Sequence, residues 1–404
     1  MDVEALLKAE LNKDSVFLNR DYLSPHYIPE MLPFREKQVE SVTKILAPSL
    51  KGKRPNNMFI YGKVGTGKTC VARKVLDTTL NFGEKQGIPI NGTYINCRIT
   101  STKYGVLVKI ASKIVPDESL QGFSLSYMYE KIKNALNQNK MQFSVILDEV
   151  DKVKDVDDLI YTLTRMNDEL DFGGLSLIGI SNVISFKESL DTRTKSTLCE
   201  EEYVFPPYNA DELREILTER ASVGFKPGIV ETSALNLAAA VASQESGDAR
   251  RALMLLLRAG DVADESGKMK ITETEIKSAK TKVEEDLILD LISTLPAQHQ
   301  IVLYAITRLT EANKGYTKLD GEKKPGMIFS GEIYDNYAIL SKKLGKSPKT
   351  ARWYREMIRE LETYGLIAVH QSGKGIRGHT HLIKMNFDAH KTRGVLEKQL
   401  GFEE

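Results

Sequence analysis

The chain is poor in cysteine, in long apolar runs and in net charge, and each scarcity excludes something. Cys70, Cys97 and Cys199 are the only three cysteines in 404 residues. They are too few and too scattered for a disulfide framework or a zinc ribbon, and they fit a reducing compartment. No apolar run approaches the ~18–20 residues a membrane helix needs. The start, MDVEALLKAELNKD, alternates charge and lacks the apolar centre of a secretory signal. The expectation is a soluble, cytoplasmic protein with no membrane partner. With 41% hydrophobic residues there is material for packed cores, and the length suggests two to four domains of the usual ~100–200 residues.

The net charge of +1 conceals an asymmetry. Ser341 to Arg393 carries twelve Lys and Arg against four Asp and Glu, a local net of +8, so the remainder carries −7. A basic module on a mildly acidic body points to a polyanion partner, although a solvated basic face reads the same way on charge alone.

What is present in the first half is phosphate chemistry. Met58 to Tyr61 reads as a short apolar strand, followed by Gly62-Lys63-Val64-Gly65-Thr66-Gly67-Lys68-Thr69, which fits G-x-x-x-x-G-K-[ST]. Glycines let backbone N–H groups curl around phosphate oxygens, and the helix opening at Lys68 adds its positive end. Val64, Gly65, Thr66, Gly67, Lys68, Thr69 and Cys70 are therefore candidate ATP/ADP contacts. Lys68 reaches for the β- and γ-phosphates and Thr69 for Mg²⁺. About eighty residues on, FSVILDEVD ends a buried strand in Asp148-Glu149. The first carboxylate is placed to hold Mg²⁺ with Thr69, the second to polarise an attacking water. LSLIGISN ends at Asn182, a polar group to orient water or the γ-phosphate. SLDTRTKSTL, read as turn-like, offers Arg193 as a finger for a neighbouring subunit's site. In FPPYNADELREILTER, Pro206-Pro207 end the sheet and Asn209 or Asp211 can cap a helix running to Arg220. SGDARRALMLLLRAG puts Arg250 and Arg251 in a helix's first turn, against its dipole. A bound phosphate would explain that, and so would pairing with Asp or Glu.

In this order the motifs resemble the AAA+ ATPases, as Walker A, Walker B (Asp148-Glu149), sensor 1 (Asn182), arginine finger (Arg193) and sensor 2 (Arg250). The text VFLNRDYLSPHYIPEMLPFRE and FPPYNADELREILTER is similar, more narrowly, to the archaeal replication-initiator family of origin-recognition and cell-division-control type. The similarity runs from about Val16 to Phe387. It implies an α/β AAA+ P-loop ATPase core with an α-helical lid and a C-terminal winged-helix (α+β) domain. It implies nucleotide contacts at Tyr208 and Arg220, and Phe34 stands where a histidine is expected. It also implies origin recognition, a nucleoid-associated location, a paralogous or identical initiator subunit, and recruitment of a replicative helicase. The domains are then 1–205 (AAA+ with an N-terminal extension), 206–282 (lid), 283–395 (winged helix) and 396–404 (tail).

In the second half LILDLISTL and AQHQIVLYAITRL read as helices separated by Pro296, and SGEIYDNYAILSKKLG as a helix ending at Gly345. SPKTARWYREMIRELETYG reads as the next, with Ser347 as N-cap, Pro348 in the first turn and Gly365 closing it. Ala351, Tyr354, Ile358 and Leu361 form its apolar stripe, and Lys349, Arg352, Arg355 and Arg359 a cationic face. With Thr350 these are candidate DNA contacts in a helix-turn-helix arrangement. Leu366 to Gln371 and His379 to Met385 read as paired strands. The loop SGKGIRG between them is a wing tip, whose Lys374, Gly375 and Arg377 can approach the DNA backbone. His370, His379 and His381 lack a carboxylate or cysteine to complete a metal set. Initiator-type AAA+ proteins carry a DNA-touching insertion near RITSTKYGVLVKIASKIVPDESLQGF, so Arg98, Lys103 and Lys109 are further candidates there; a packed surface helix is the other reading.

The leading expectation is a duplex-DNA-binding initiator switched by slow ATP hydrolysis. An AAA+ protein remodeller would need an aromatic-hydrophobic-glycine pore loop, for which KYGV offers only Tyr104-Gly105. A nucleotide-gated transcription regulator would not need Asp148-Glu149 together with Arg193.

Overall fold

The apolar runs beside the phosphate loop become the centre of a parallel sheet. The computed structural model describes residues 14–25, 27–116, 122–198, 200–312, 315–317, 323–371 and 381–402. It divides into two compact units, Met1–Ala279 and Lys280–Glu404. Among the described residues no helix is long and apolar enough to cross a membrane.

In the first unit the chain runs α1 (Glu36–Leu46), β1 (Asn57–Tyr61), α2 (Lys68–Lys85), β2 (Ile90–Asn96), α3 (Lys103–Ile114) and α4 (Leu125–Gln138). It continues through β3 (Gln142–Asp148), α5 (Val156–Arg165), β4 (Gly174–Ser181), α6 (Phe186–Ser189), α7 (Thr192–Leu198) and β5 (Glu200–Val204). The strands pair in parallel in the order β2-β3-β4-β1-β5. Every residue of β3 and β4 is buried, as expected of central strands covered by helices on both faces. Asn96 lies opposite Asp148 and Tyr61 opposite Ser181, so the carboxyl ends of β1, β3 and β4 share one edge of the sheet. In open sheets of this kind that edge is where ligands bind. α3, the first helix of the segment read as an insertion, buries Val106, Leu107, Ile110, Ala111 and Ile114 in the core and leaves Lys109 exposed.

The lid is α8 (Ala210–Gly224), α9 (Thr232–Glu245), α10 (Ala249–Glu265) and the start of α11 (Glu273–Thr294). Asn209 begins it with a complete capping box: its side chain accepts from Glu212 N–H while the Glu212 carboxylate accepts from Asn209 N–H, both at 2.9 Å. Small residues in α9 (Ala234, Ala238, Ala239, Ala242) let the helices pack closely. The start of the N-terminal extension packs here, whereas Leu32 further on lies against the cluster on the sheet. Val16 and Leu23 are fully buried in the lid cluster, Phe17 stacks on Phe225 at 5.0 Å, and the Asp264 carboxylate accepts from Ser15 Oγ and Val16 N–H.

The second unit contains α12 (Ala297–Glu311), β6 (Gly315–Thr317), β7 (Lys323–Pro325), β8 (Met327–Phe329), α13 (Ser330–Lys343), α14 (Ala351–Thr363), β9 (Ile367–Gln371), β10 (His381–Met385) and α15 (Ala389–Leu400). β9 and β10 form the expected hairpin, and β8 adds to the other side of β10. The core is a single cluster in which Ile301, Ile333, Tyr337, Leu361 and Ile383 are buried. This is a winged-helix arrangement of helices and a small antiparallel sheet.

Five details differ from the sequence reading. α14 begins at Ala351, not at Pro348. Lys349 N–H donates to the Tyr337 hydroxyl at 2.8 Å and its carbonyl accepts from the Tyr334 hydroxyl at 3.1 Å, holding that residue outside the helix. Ala351 is exposed, and Met357 completes the apolar stripe in its place. The segment around Arg193 is helical, the Asp191 carboxylate accepting from Thr194 N–H at 2.6 Å. α11 is continuous across the 282/283 boundary. Residues 396–402 are not a loose tail: Leu396 is fully buried and Phe402 stacks on Tyr304 at 5.1 Å.

Candidate functional site

The loop after β1 folds as its glycines require. Gly65 and Gly67 adopt left-handed φ of 72° and 89°, which residues with a Cβ rarely tolerate. A Cβ at Gly65 would collide with the Asp248 carboxylate, and one at Gly67 would sit 3.0 Å from the Tyr208 hydroxyl. The loop therefore lies directly under the lid. Ala249 N–H donates to Gly65 O at 3.2 Å, and Asp248 caps α10 by accepting from Arg250 N–H at 2.7 Å.

Between loop, strand ends and lid lies a cleft of about 490 Å³. It is lined by Val64 to Cys70, Asp148, Glu149, Asn182, Tyr208, Arg220 and Arg250, together with Tyr27, Arg98, Lys152 and Glu219. Lys68 is buried, and its Nζ donates to Gly62 O, Lys63 O and Asn182 Oδ1 at 2.8, 2.7 and 2.9 Å. Burial, reinforced by the Arg250 charge and opposed by Asp148, lowers its pKa to about 8. The Thr69 hydroxyl donates to Asp148 Oδ2 at 2.7 Å, and Glu149 N–H to Oδ1 at 3.0 Å. Glu149 itself has a left-handed φ of 53°, backbone strain of a kind concentrated at functional sites. Asn182 follows a fixed strand end, where Ser181 Oγ donates to Asp151 Oδ1 at 2.8 Å and accepts from Val183 N–H at 3.0 Å. Burial raises the Cys70 thiol pKa, so this cleft residue stays a neutral thiol.

The two arginines at the lid helix end divide the readings left open. Arg251 pairs with Glu245 at 3.0 Å, whereas the Arg250 side chain lines the cleft. Arg220 is buried; it donates to Tyr22 O and Tyr27 O at 3.2 and 3.3 Å and lies over the Tyr27 ring at 4.7 Å. Arg193 is exposed on α7, 5.5 Å from the Tyr161 ring, and is not among this cleft's lining residues. Arg98, considered a DNA contact, lines the nucleotide-sized cleft instead. Lys103 is tied to Asp158 at 2.7 Å with its side chain only 18% exposed.

Sequence reading missed Arg35. It is 2% exposed, and its guanidinium donates to Thr66 O (2.9 Å), Phe34 O (2.8 Å) and Pro206 O (2.7 Å) while stacking 3.7 Å over the Tyr208 ring. One side chain thus joins the N-terminal extension, the phosphate loop and the entrance to the lid. Phe34 beside it is held at a left-handed φ of 62° and packs against the lid cluster. Tyr27, Tyr94 and Asp151 were missed as well; a tyrosine in a strand and an aspartate two residues past Glu149 carry no spacing signal of their own.

In the second unit Lys349, Thr350, Arg352, Arg355 and Arg359 are all exposed at the start and along one face of α14. Arg359 alone among them has an ion pair within the described residues, a loose one to Glu356 at 3.3 Å. The candidates Lys374, Gly375 and Arg377 fall outside the described residues, as do His379 and Cys199.

The chain matches three family models: an AAA domain over residues 51–192, the Cdc6 AAA+ ATPase-type lid domain over 214–281, and the CDC6 C-terminal winged helix domain over 290–394. It is similar to the ORC1-type DNA replication protein of Pyrococcus furiosus, with 38% identity over 400 residues, 98% of this chain and 93% of that protein. ORC1-type DNA replication protein 1 of Archaeoglobus fulgidus is 38% identical over 389 residues, covering 96% and 92%. Among solved structures, the Aeropyrum pernix ORC1 protein in complex with DNA superposes with a TM-score of 0.76 at 34% identity, covering 96% of this chain and 98% of that one. The Aeropyrum pernix ORC2 protein, at 21% identity and a TM-score of 0.60, shares the fold over 95% of this chain.

Proposed function

The chain belongs to the ORC1/Cdc6 family of DNA replication proteins, and on that premise we propose that it is an ATP-switched initiator that binds duplex origin DNA. The observation that carries the nucleotide half is the convergence of Lys68, Thr69, Asp148, Asn182 and Arg250 on one cleft. The buried Lys68 ammonium, partnered only by carbonyl oxygens, is a cation prepared for an anion. Phosphate oxygens would exchange for those carbonyls, with Arg250 approaching from the lid. The Tyr208 and Arg220 walls would take the base and ribose side.

The residues also fit Mg²⁺, since a hydroxyl and a carboxylate, both hard oxygen donors, already lie 2.7 Å apart at Thr69 and Asp148. The ion would supply charge neutralisation on the phosphates. Glu149, held by its strained backbone at the cleft, is the group to draw a proton from water, and Asn182 to orient that water. Arg193, exposed and away from its own cleft, would complete the site of a neighbouring identical or paralogous subunit. Slow turnover makes nucleotide state a switch rather than a motor stroke. DNA contact is assigned to Lys349, Thr350, Arg352, Arg355 and Arg359 and, on the sequence reading alone, to Lys374, Gly375 and Arg377. The Aeropyrum pernix ORC1 protein, the similar structure described above, was solved with DNA. Recruitment of the replicative helicase and a nucleoid-associated location complete the reading.

The test is fluorescence anisotropy on a labelled duplex over a salt series with wild type, Arg355→Ala and Lys68→Ala. Arg355→Ala lowers the slope of log K against log salt by about one. Lys68→Ala keeps the slope but loses ATP binding. Wild type that ignores duplex at low salt overturns the DNA half; undiminished ATP binding by Lys68→Ala overturns the cleft.

A further inference from the structure

Asp148 takes three hydrogen bonds, two of them from other elements and one from the residue that follows it. Thr69 of α2 and Tyr94 of β2 both donate their hydroxyls to Oδ2, at 2.7 and 2.9 Å, and Glu149 N–H donates to Oδ1 at 3.0 Å. Nothing in the nucleotide reading requires Tyr94. The parallel register sets Tyr94 opposite Ile146 and Asn96 opposite Asp148, so Tyr94 and Asp148 point to the same sheet face as diagonal neighbours. The Arg73 guanidinium lies 4.7 Å from the Tyr94 ring.

The terminal torsion of an aspartate is soft, with broad wells, so its carboxylate plane is set by whatever donates to it. We propose that Tyr94 is a positioning residue for the divalent-cation site, its hydroxyl fixing the rotation of the Asp148 carboxylate so that Thr69 and Asp148 present their oxygens together. The proposal rests on the nucleotide reading of the cleft. Carboxylates that serve metals are themselves hydrogen-bonded, and loss of such an outer partner typically weakens metal affinity by roughly 10–100-fold. Tyr94 donates from a strand edge that neither nucleotide nor lid has to reach, so the constraint persists whichever way the lid moves.

The experiment uses the full chain and a fluorescent non-hydrolysable ATP analogue, with wild type, Tyr94→Phe and Arg73→Gln, titrated with MgCl₂ and separately in EDTA. Tyr94→Phe removes one oxygen and keeps the ring. Its affinity in EDTA equals that of wild type, while the Mg²⁺ concentration for half-maximal tightening rises about tenfold. Arg73→Gln removes the cation on the ring, keeps the hydroxyl, and leaves the Mg²⁺ requirement unchanged. An unchanged Mg²⁺ requirement in Tyr94→Phe overturns the proposal, as does an equal loss of affinity in EDTA, the mark of a structural role. A tenfold rise in Arg73→Gln would likewise overturn it by making ring packing the cause. If wild type binds the analogue in neither buffer, the nucleotide reading fails and takes the proposal with it.

Discussion

Lys68 shows how a single residue reports the state of the cleft. Its pKa of about 8 arises first from burial, and a neighbouring polyphosphate would stabilise the ammonium and raise it again. Nucleotide binding at pH 8.5 is therefore expected to take up a fraction of a proton at this lysine. A terminal phosphate, with its second pKa near ~6, is already fully ionised there. Isothermal titration in buffers of different ionisation heat reads the uptake directly; identical apparent enthalpies would show that Lys68 is fully charged before the ligand arrives. The stability linkage runs the same way. The unfolded lysine holds its proton to about pH 10.5 and the folded one only to about 8, so the cost of burying the charge is fully present below pH 8 and fades as pH rises through that interval.

At the scale of elements, the lid depends on how its first helix begins. Asn209→Ala removes the half of the capping box that the Asn209 side chain accepts, leaving the Glu212 carboxylate on the N–H of residue 209, and should destabilise the nucleotide-free chain by about 1 kcal/mol. Glu212→Gln, which keeps an acceptor at the third helical position, should cost less. Urea unfolding midpoints give the comparison, and a loss in Glu212→Gln as large as in Asn209→Ala would show that the Glu212 charge matters as much as the Asn209 cap. The same helix start was legible in the sequence because a capping box is local, as the phosphate loop is: all its information lies within Gly62 to Thr69. The strand ending in Asp148-Glu149 was legible because a central parallel strand is apolar throughout. Arg35 was not, since two of its partners lie 31 and 171 residues away and are carbonyl oxygens, which every residue possesses. The start of α14 was misread because Ser347-Pro348 is a good local signal overruled by two tyrosine hydroxyls from α13. α7 escaped notice because TRTKSTL has no apolar period, and β8 because three residues are too few to show one. The family resemblance and the three-part fold were borne out, since they rest on the order of motifs rather than on any one boundary.

For the whole molecule the division at Ala279/Lys280 has a thermodynamic signature. A ligand stabilises only the cooperative unit whose native state it binds. Differential scanning calorimetry should resolve two transitions, one raised by ATP analogue with Mg²⁺ and the other by duplex DNA. If either ligand moves both transitions equally, the two units unfold as one body, and α11, continuous across the division, is the element that joins them.

The packing of the N-terminal extension on the lid also sets a clock for synthesis. Val16 and Ser15 find their partner in Asp264, 248 and 249 residues later. At ~5–20 residues per second a ribosome needs on the order of ten to fifty seconds to make that stretch. Phe17 and Leu23 wait for Phe225 and Gly224 of the lid, and Val16 for Asp264 as well, while the sheet made in between can already form. Apolar residues made early in this unit are thus among the last of it to be buried. A nascent chain of this protein is therefore expected to engage holding chaperones at its beginning until residue 264 has emerged.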